Sequence, residues 1–145
     1  MKRTQALQPL SRQHHQGLFA AQRLTRASEQ DRSEVQAHFL SFWESEGRRH
    51  FRVEEEVLLP AYARHAPADS PEVVRVLTEH VRIRCFAAEL AEGRVPTARL
   101  HELGRLLAGH IRHEERTLFG LIEAALAPAQ LSELAAAITE AEAAE

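Results

Sequence analysis

The chain has one cysteine, one tryptophan, one tyrosine and one methionine in 145 residues. A lone Cys85 excludes an intrachain disulfide. Beside Phe86 and Ala87 it reads as a buried small hydrophobe. No apolar run approaches the roughly 18 residues of a membrane-spanning helix. The start, Met1-Lys2-Arg3-Thr4-Gln5, leads into no apolar signal core. A dominant charge is missing too: 18 basic against 21 acidic residues leave −3. That balance gives no footprint for nucleic acid or an anionic membrane. Period-2 alternation is absent, which argues against strands. A single soluble domain over residues 1–145, cytoplasmic by default, is the expectation. Histidine is the residue in excess, with nine copies.

The apolar residues recur at helical spacing throughout. A first helix is expected from about Ser11 to Thr25, with Leu10, His14, Gly17/Leu18, Ala21 and Leu24 inward. A long second helix runs from about Asp31 to Tyr62, with Val35, Phe39, Phe42/Trp43, His50, Val53/Glu54 and Val57 on its stripe. Pro60 ends or bends it, because proline cannot donate to the carbonyl of Glu56. A third helix opens at Asp69 or Ser70, with Pro71 in its first turn, and closes at Gly93 and Pro96. Thr97 caps a fourth, which breaks at Ala127-Pro128. A short fifth helix follows, and the Ala/Glu tail frays. The expected fold is all-α, an up-down-up-down four-helix bundle with a short C-terminal fifth helix.

One phrase occurs twice. His50-Phe-Arg-Val-Glu54-Glu55 returns as His110-Ile-Arg-His-Glu114-Glu115, and five of eleven aligned positions from 50 and 110 are identical. His14 precedes the first phrase as His80 precedes the second, which implies internal two-fold symmetry. A His and a Glu four apart lie on one helix face. The candidate metal ligands are therefore His14, His50, Glu54, His80, His110 and Glu114, all on apolar stripes. Buried together without cations, the two glutamates would take up a proton. Two divalent ions remove that problem, each carboxylate bridging both. Mixed nitrogen and oxygen ligands with open positions suit iron, with manganese as the other candidate.

Helix phase sorts the neighbours at about 100° per residue. Glu55 lies about 140° from His50, so it and its counterpart Glu115 are expected to face outward, as are Arg52 and Arg112. His113 lies about 60° from His110, where it would orient another ligand. His38 is about 120° off and roughly 18 Å up the helix. His65 and His101 read as solvated. His14 and His15 remain alternatives: His14 keeps the Leu10/Leu18 phase, whereas His15 matches the His80-x-x-Ile83 spacing.

The order His, His-x-x-x-Glu, His, His-x-x-x-Glu resembles the bacterial hemerythrin-like, or HHE cation-binding, domain. The residues that carry it are Leu10-Ser-Arg-Gln-His14-His15, His50 through Leu59-Pro60, Glu79-His80-Val-Arg-Ile83, and His110 through Leu118-Phe119. The resemblance spans roughly residues 8 to 140. It implies a non-haem di-iron centre with two bridging carboxylates, and dioxygen or a related small diatomic as partner. The implied role is storage, delivery or sensing. The chain departs from the invertebrate oxygen carriers, which have His-x-x-x-His on the third helix and His-x-x-x-x-Asp on the last. Here Val76 and Arg84 flank His80, and Glu114 follows His110. One imidazole fewer leaves a position for solvent or Tyr62. That opening favours a second reading, an enzyme acting on peroxide or nitric oxide, or an iron- or oxygen-responsive regulator. A ferritin-type oxidase is disfavoured, because no inward Glu-x-x-His pair occurs.

The phase arithmetic makes a first prediction. His50→Ala cuts metal content sharply and His38→Ala leaves it unchanged, as metal analysis of the purified variants would show.

Overall fold

The computed structural model describes residues 2–144. Among these, five helices account for nearly all the regular structure. Helix α1 is Gln8–Thr25. Helix α2 (32–63) runs without a break through Arg32–Phe42, Arg48–Val53 and Leu59–Ala63. Helix α3 is Pro71–Glu92, and α4 (97–125) joins Thr97–His113 to Phe119–Ala125. Helix α5 is Pro128–Ala143. Proline stands in the first turn of α1, α3 and α5, where a missing N–H leaves no intrahelical bond unmade. No helix is long and apolar enough to cross a membrane among the described residues.

Three stretches widen into π-type turns: Trp43–Gly47, Glu54–Leu58 and Glu114–Leu118. Two of them begin at Glu54 and Glu114, the matched glutamates of the repeat. Pro60 neither ends nor breaks α2, which continues to Ala63. Nor does proline cause the widening, since the second repeat carries Gly120 at that position and widens identically. What the two turns share is the buried acid that opens each, and π turns are frequent at functional sites.

Helix α1 packs on α2 and α4, and α3 packs on the same two, so the four long helices close a ring. Two apolar clusters fill it. One holds Leu24, Phe39, Trp43, Phe51, Ile83, Leu90 and Leu103. The other holds Leu10, Leu58, Tyr62, Val76, Phe119 and Ile122. On every long helix the candidate histidine falls where one cluster gives way to the other. Helix α5 is longer than the expected short segment, at 16 residues. Its Leu134 and Ile138 are buried in the second cluster, and it lies along α2. That packing, on a strongly helix-favouring Ala/Glu sequence, keeps the tail helical to Ala143. Cys85 is exposed, contrary to expectation, because Ile83, Phe86 and Ala87 take the inward positions of α3.

Helices α1 and α4 approach closely because Gly104 has no side chain. A Cβ there would lie 2.6 Å from Thr25 Cγ2 and 2.8 Å from the Ala21 carbonyl oxygen. Gly109 and Gly120, also helical, would meet nothing within 4 Å. Gly104→Ala is therefore expected to destabilise by about 1–3 kcal/mol despite the better helix former. Gly109→Ala is expected to stabilise by about 0.5–1 kcal/mol. Urea unfolding midpoints check both signs.

Candidate metal centre

The structure brings six of the expected side chains to one point. His14 comes from α1, His50 and Glu54 from α2, His80 from α3, and His110 and Glu114 from α4. All six are buried. Their facing atoms form two groups that share the carboxylates: His14, His50, Glu54 and Glu114 in one, and His80, His110, Glu54 and Glu114 in the other. Within each group the atoms lie within 4.8 Å of one another.

The carboxylates are turned so that each offers one oxygen to each group. Glu54 Oε2 lies 3.1 Å from His50 Nε2, and Glu54 Oε1 lies 3.1 Å from His80 Nε2. Glu114 Oε1 lies 2.9 Å from His14 Nε2, and Glu114 Oε2 lies 3.2 Å from His110 Nε2. Every imidazole therefore presents Nε2 inward.

The opposite ring nitrogens explain that orientation. His14 Nδ1–H donates to Glu115 at 2.6 Å and His80 Nδ1–H to Glu55 at 2.7 Å. His110 Nδ1–H donates to Glu79 at 3.0 Å, and His50 Nδ1–H to the amide oxygen of Gln13 at 2.6 Å. With the proton on Nδ1, each Nε2 carries a lone pair. Metal-binding histidines are held by such partners, which fix the tautomer and the ring plane. Aromatic rings hold the planes further: His80 stacks on Phe51 at 3.8 Å, and His14 on Phe119 at 5.4 Å.

Glu55 and Glu115 are a correction. They were expected to face solvent, yet they are half-buried on the flanks of α2 and α4 against the histidines of neighbouring helices. The π turns opening at Glu54 and Glu114 change the local rotation per residue. Phase arithmetic on an ideal helix could not capture that shift. Arginine closes the outer layer: Arg84 bonds Glu55 at 3.0 Å, Arg75 bonds Glu79 at 3.2 Å, and Arg3 lies 3.6 Å from Glu115.

The remaining candidates are resolved by placement. His15 is exposed and His14 buried, so α1 turns His14 to the centre. Tyr62 is buried in the second apolar cluster and makes no hydrogen bond to the six. His113 is half-buried and likewise bonds to none of them, because its face of α4 has already turned toward the rim. His101, expected to be solvated, instead donates from Nε2 to the Ala27 carbonyl at 2.7 Å. Gln13 and Glu79, the residues before His14 and His80, were missed. Their matched positions in the repeat are the signal that could have found them.

Eight nitrogen and oxygen atoms thus face one another at the centre, with His14 Nε2 and Glu114 Oε1 hydrogen-bonded at 2.9 Å. His50, His80 and His110 Nε2, both Glu54 oxygens and Glu114 Oε2 find no hydrogen-bond partner within the protein. Such a cluster requires cations or protons. Protons fill the role in the metal-free chain. Burial disfavours the His14 imidazolium, but Glu114 and Glu115 outweigh burial and raise its pKa to about 10. The same opposition, with Glu114 and Glu79 prevailing, raises His110 to about 9. Burial pushes the Glu114 carboxyl up, yet His110, His14 and His80 hold it well below the usual range. The donor set fits two divalent cations, and displacing the protons is the requirement for binding them.

An apolar cavity of about 30 Å³ lies against His14, His50 and His110. Phe39, Trp43, Phe51, Ile111 and the bare faces of Gly17 and Gly47 line it. A site for one water takes at least about 10–15 Å³, so the space suits a molecule of a few atoms.

A family model described as Hemerythrin HHE cation binding domain matches residues 9–122. The match includes all six converging side chains and stops short of α5. No curated protein and no solved structure matches the chain.

The proton competition sets a pH dependence. A raised histidine pKa stabilises the metal-free fold fully below about 6.5, and that contribution is lost as pH rises through about 10. Metal needs the neutral imidazole, so uptake at neutral pH is expected to release about two to three protons per chain. Affinity then climbs with pH up to that upper limit. Calorimetry of metal binding in buffers of different ionisation enthalpy counts the protons.

Proposed function

The chain belongs to the hemerythrin HHE cation-binding domain family, and from that premise we propose that it holds a non-haem di-iron pair. Dioxygen or a related small diatomic is the ligand, for storage, delivery or sensing. The ligands in this reading are His14, His50, Glu54, His80, His110 and Glu114, contributed by four long helices running up-down-up-down. The observation that carries it is the split carboxylate geometry, in which Glu54 and Glu114 each give one oxygen to each group. A single ion would leave half of those oxygens without a partner.

Iron is favoured over zinc because each group offers two imidazoles and two carboxylate oxygens and leaves positions open. Manganese has the same donor preference. When bound, iron supplies the electrons for reversible association with dioxygen.

The chain's own residues set the conditions. The four imidazoles keep Nε2 turned to the centre because their Nδ1 protons are committed to Gln13, Glu55, Glu79 and Glu115. Phe39, Trp43 and Phe51 line the cavity with apolar surface beside His14, His50 and His110. Gly17 and Gly47 leave space there, and Ile83 and Leu107 close the cavity with full side chains.

The test is anaerobic reconstitution with ferrous iron. Two iron ions per chain and a visible charge-transfer band that comes and goes with oxygen are expected. Well under one ion per chain after reconstitution would end the di-iron reading. Irreversible oxidation with repeated consumption of peroxide or nitric oxide, lost in Glu54→Ala and Glu114→Ala, would move the protein to the enzymatic class.

A further inference from the structure

The four acceptors behind the imidazoles are not alike. His14, His80 and His110 each donate to a carboxylate, from Glu115, Glu55 and Glu79. His50 alone donates to an amide, the Gln13 side chain. The repeat makes the difference plain, since Gln13 precedes His14 as Glu79 precedes His80. One half of the molecule has a neutral group where the other has an anion.

Gln13 is itself held. Its Nε2 donates to the carboxylate of Glu142 on α5. A carboxylate only accepts, so the amino end of the amide faces Glu142 and the carbonyl end faces His50. An amide oxygen only accepts as well, which places the His50 proton on Nδ1 and its lone pair on Nε2. Glu142 lies outside the family match, which ends at residue 122. A helix beyond the shared domain therefore reaches one ring of the centre through a single side chain.

We propose that Gln13, oriented by Glu142, makes the His14/His50 position the weaker and more easily reduced of the two metal positions. The inference rests on the two-ion reading above. A hydrogen bond to a carboxylate pushes electron density into the imidazole and strengthens it as a donor, and a neutral amide does this less. The His80/His110 position has two anionic supports, whereas the His14/His50 position has one. Gln13 touches no ion and acts through His50, so it is a positioning residue. The weaker position is also the more accessible. His50 is 9% exposed against 0–4% for the other three histidines. Gln13 and His50 border both the inner cavity and an outer cleft lined by Arg12, Arg49 and Glu142.

The decisive variant exchanges the two groups. Q13E/E142Q keeps the net charge and the chain of hydrogen bonds, but gives His50 an anionic acceptor. The full-length metal-free chain is titrated anaerobically with Co(II), followed by visible absorbance. The unaltered chain is expected to bind two equivalents, the first about tenfold tighter than the second. The exchange should tighten the second constant about tenfold and leave the first unchanged. E79Q, a separate variant at the other position, should weaken the first constant by a similar factor. In the iron-loaded protein the exchange should lower the potential of the first reduction. A tenfold shift in relative ferric over ferrous affinity is about 59 mV for one electron. Two inseparable constants in the unaltered chain would overturn the proposal. So would an exchange variant whose second constant and potential match the unaltered chain. Fewer than two equivalents bound by the unaltered chain would instead overturn the two-ion reading itself.

Discussion

Two carboxylates in the middle of an apolar core set the terms for everything around them. Glu54 and Glu114 are almost wholly buried, and an isolated buried anion is far too costly for a domain of ordinary stability. Positive charge beside them, or protonation of the acids themselves, offsets that cost. The four imidazoles can meet that need as protonated rings or as neutral ligands to a cation. Charge then alternates outward: the acids at the centre, the histidines around them, Glu55, Glu79 and Glu115 behind three of those, and Arg84, Arg75 and Arg3 at the rim. Each layer compensates the one inside it, and only the outermost relies on solvent.

The same arrangement explains the backbone. Helices α2 and α4 both widen at the buried glutamate, at corresponding points of the repeat. A regular turn would carry the next residue toward solvent. The wider turn lets Glu54 and Glu114 face the centre while Glu55 and Glu115 stay within reach of His80 and His14 on other helices. Consecutive acids thus close on the two ring nitrogens of one histidine from a neighbouring helix, Glu54 and Glu55 on His80, and Glu114 and Glu115 on His14. The Glu-Glu pair in each phrase reflects that arrangement.

Much of this was legible in the sequence, for a physical reason. Side chains that meet inside a bundle of amphipathic helices must share the apolar stripes, so 3.6-residue periodicity picks out His14, His50, Glu54, His80, His110 and Glu114. Internal repetition raises them above ordinary core residues. What supports those side chains was not legible. Glu55, Glu79, Glu115 and Gln13 sit at helix–helix boundaries, where partner choice depends on which helix is adjacent and on the π turns. Neither has a period in the sequence. The pairing of Gln13 with Glu142 crosses 129 positions and has no local trace at all. The cavity was equally hidden, because it arises from the smallness of Gly17 and Gly47 opposite aromatic side chains, and absent side chains leave no pattern. Tyr62, the alternate candidate, is carried by its phase along α2 into the second apolar cluster.

Duplication gives the centre its symmetry, and a few side chains break it. Gln13 stands where the other half has Glu79. It gives the His14/His50 half a neutral support, and His50 is slightly more exposed than the other three histidines. Protons bear on both halves. In the metal-free chain burial is outweighed by Glu114 and its neighbours, which raise His14 to about 10 and His110 to about 9, so protons occupy the places that cations would take. The buried acids are therefore compensated without a cation, and the ring of helices is assembled in that state, unlike small zinc modules, whose fold depends on the ion. On the two-ion reading, such a centre would keep its fold while one position binds more weakly than the other.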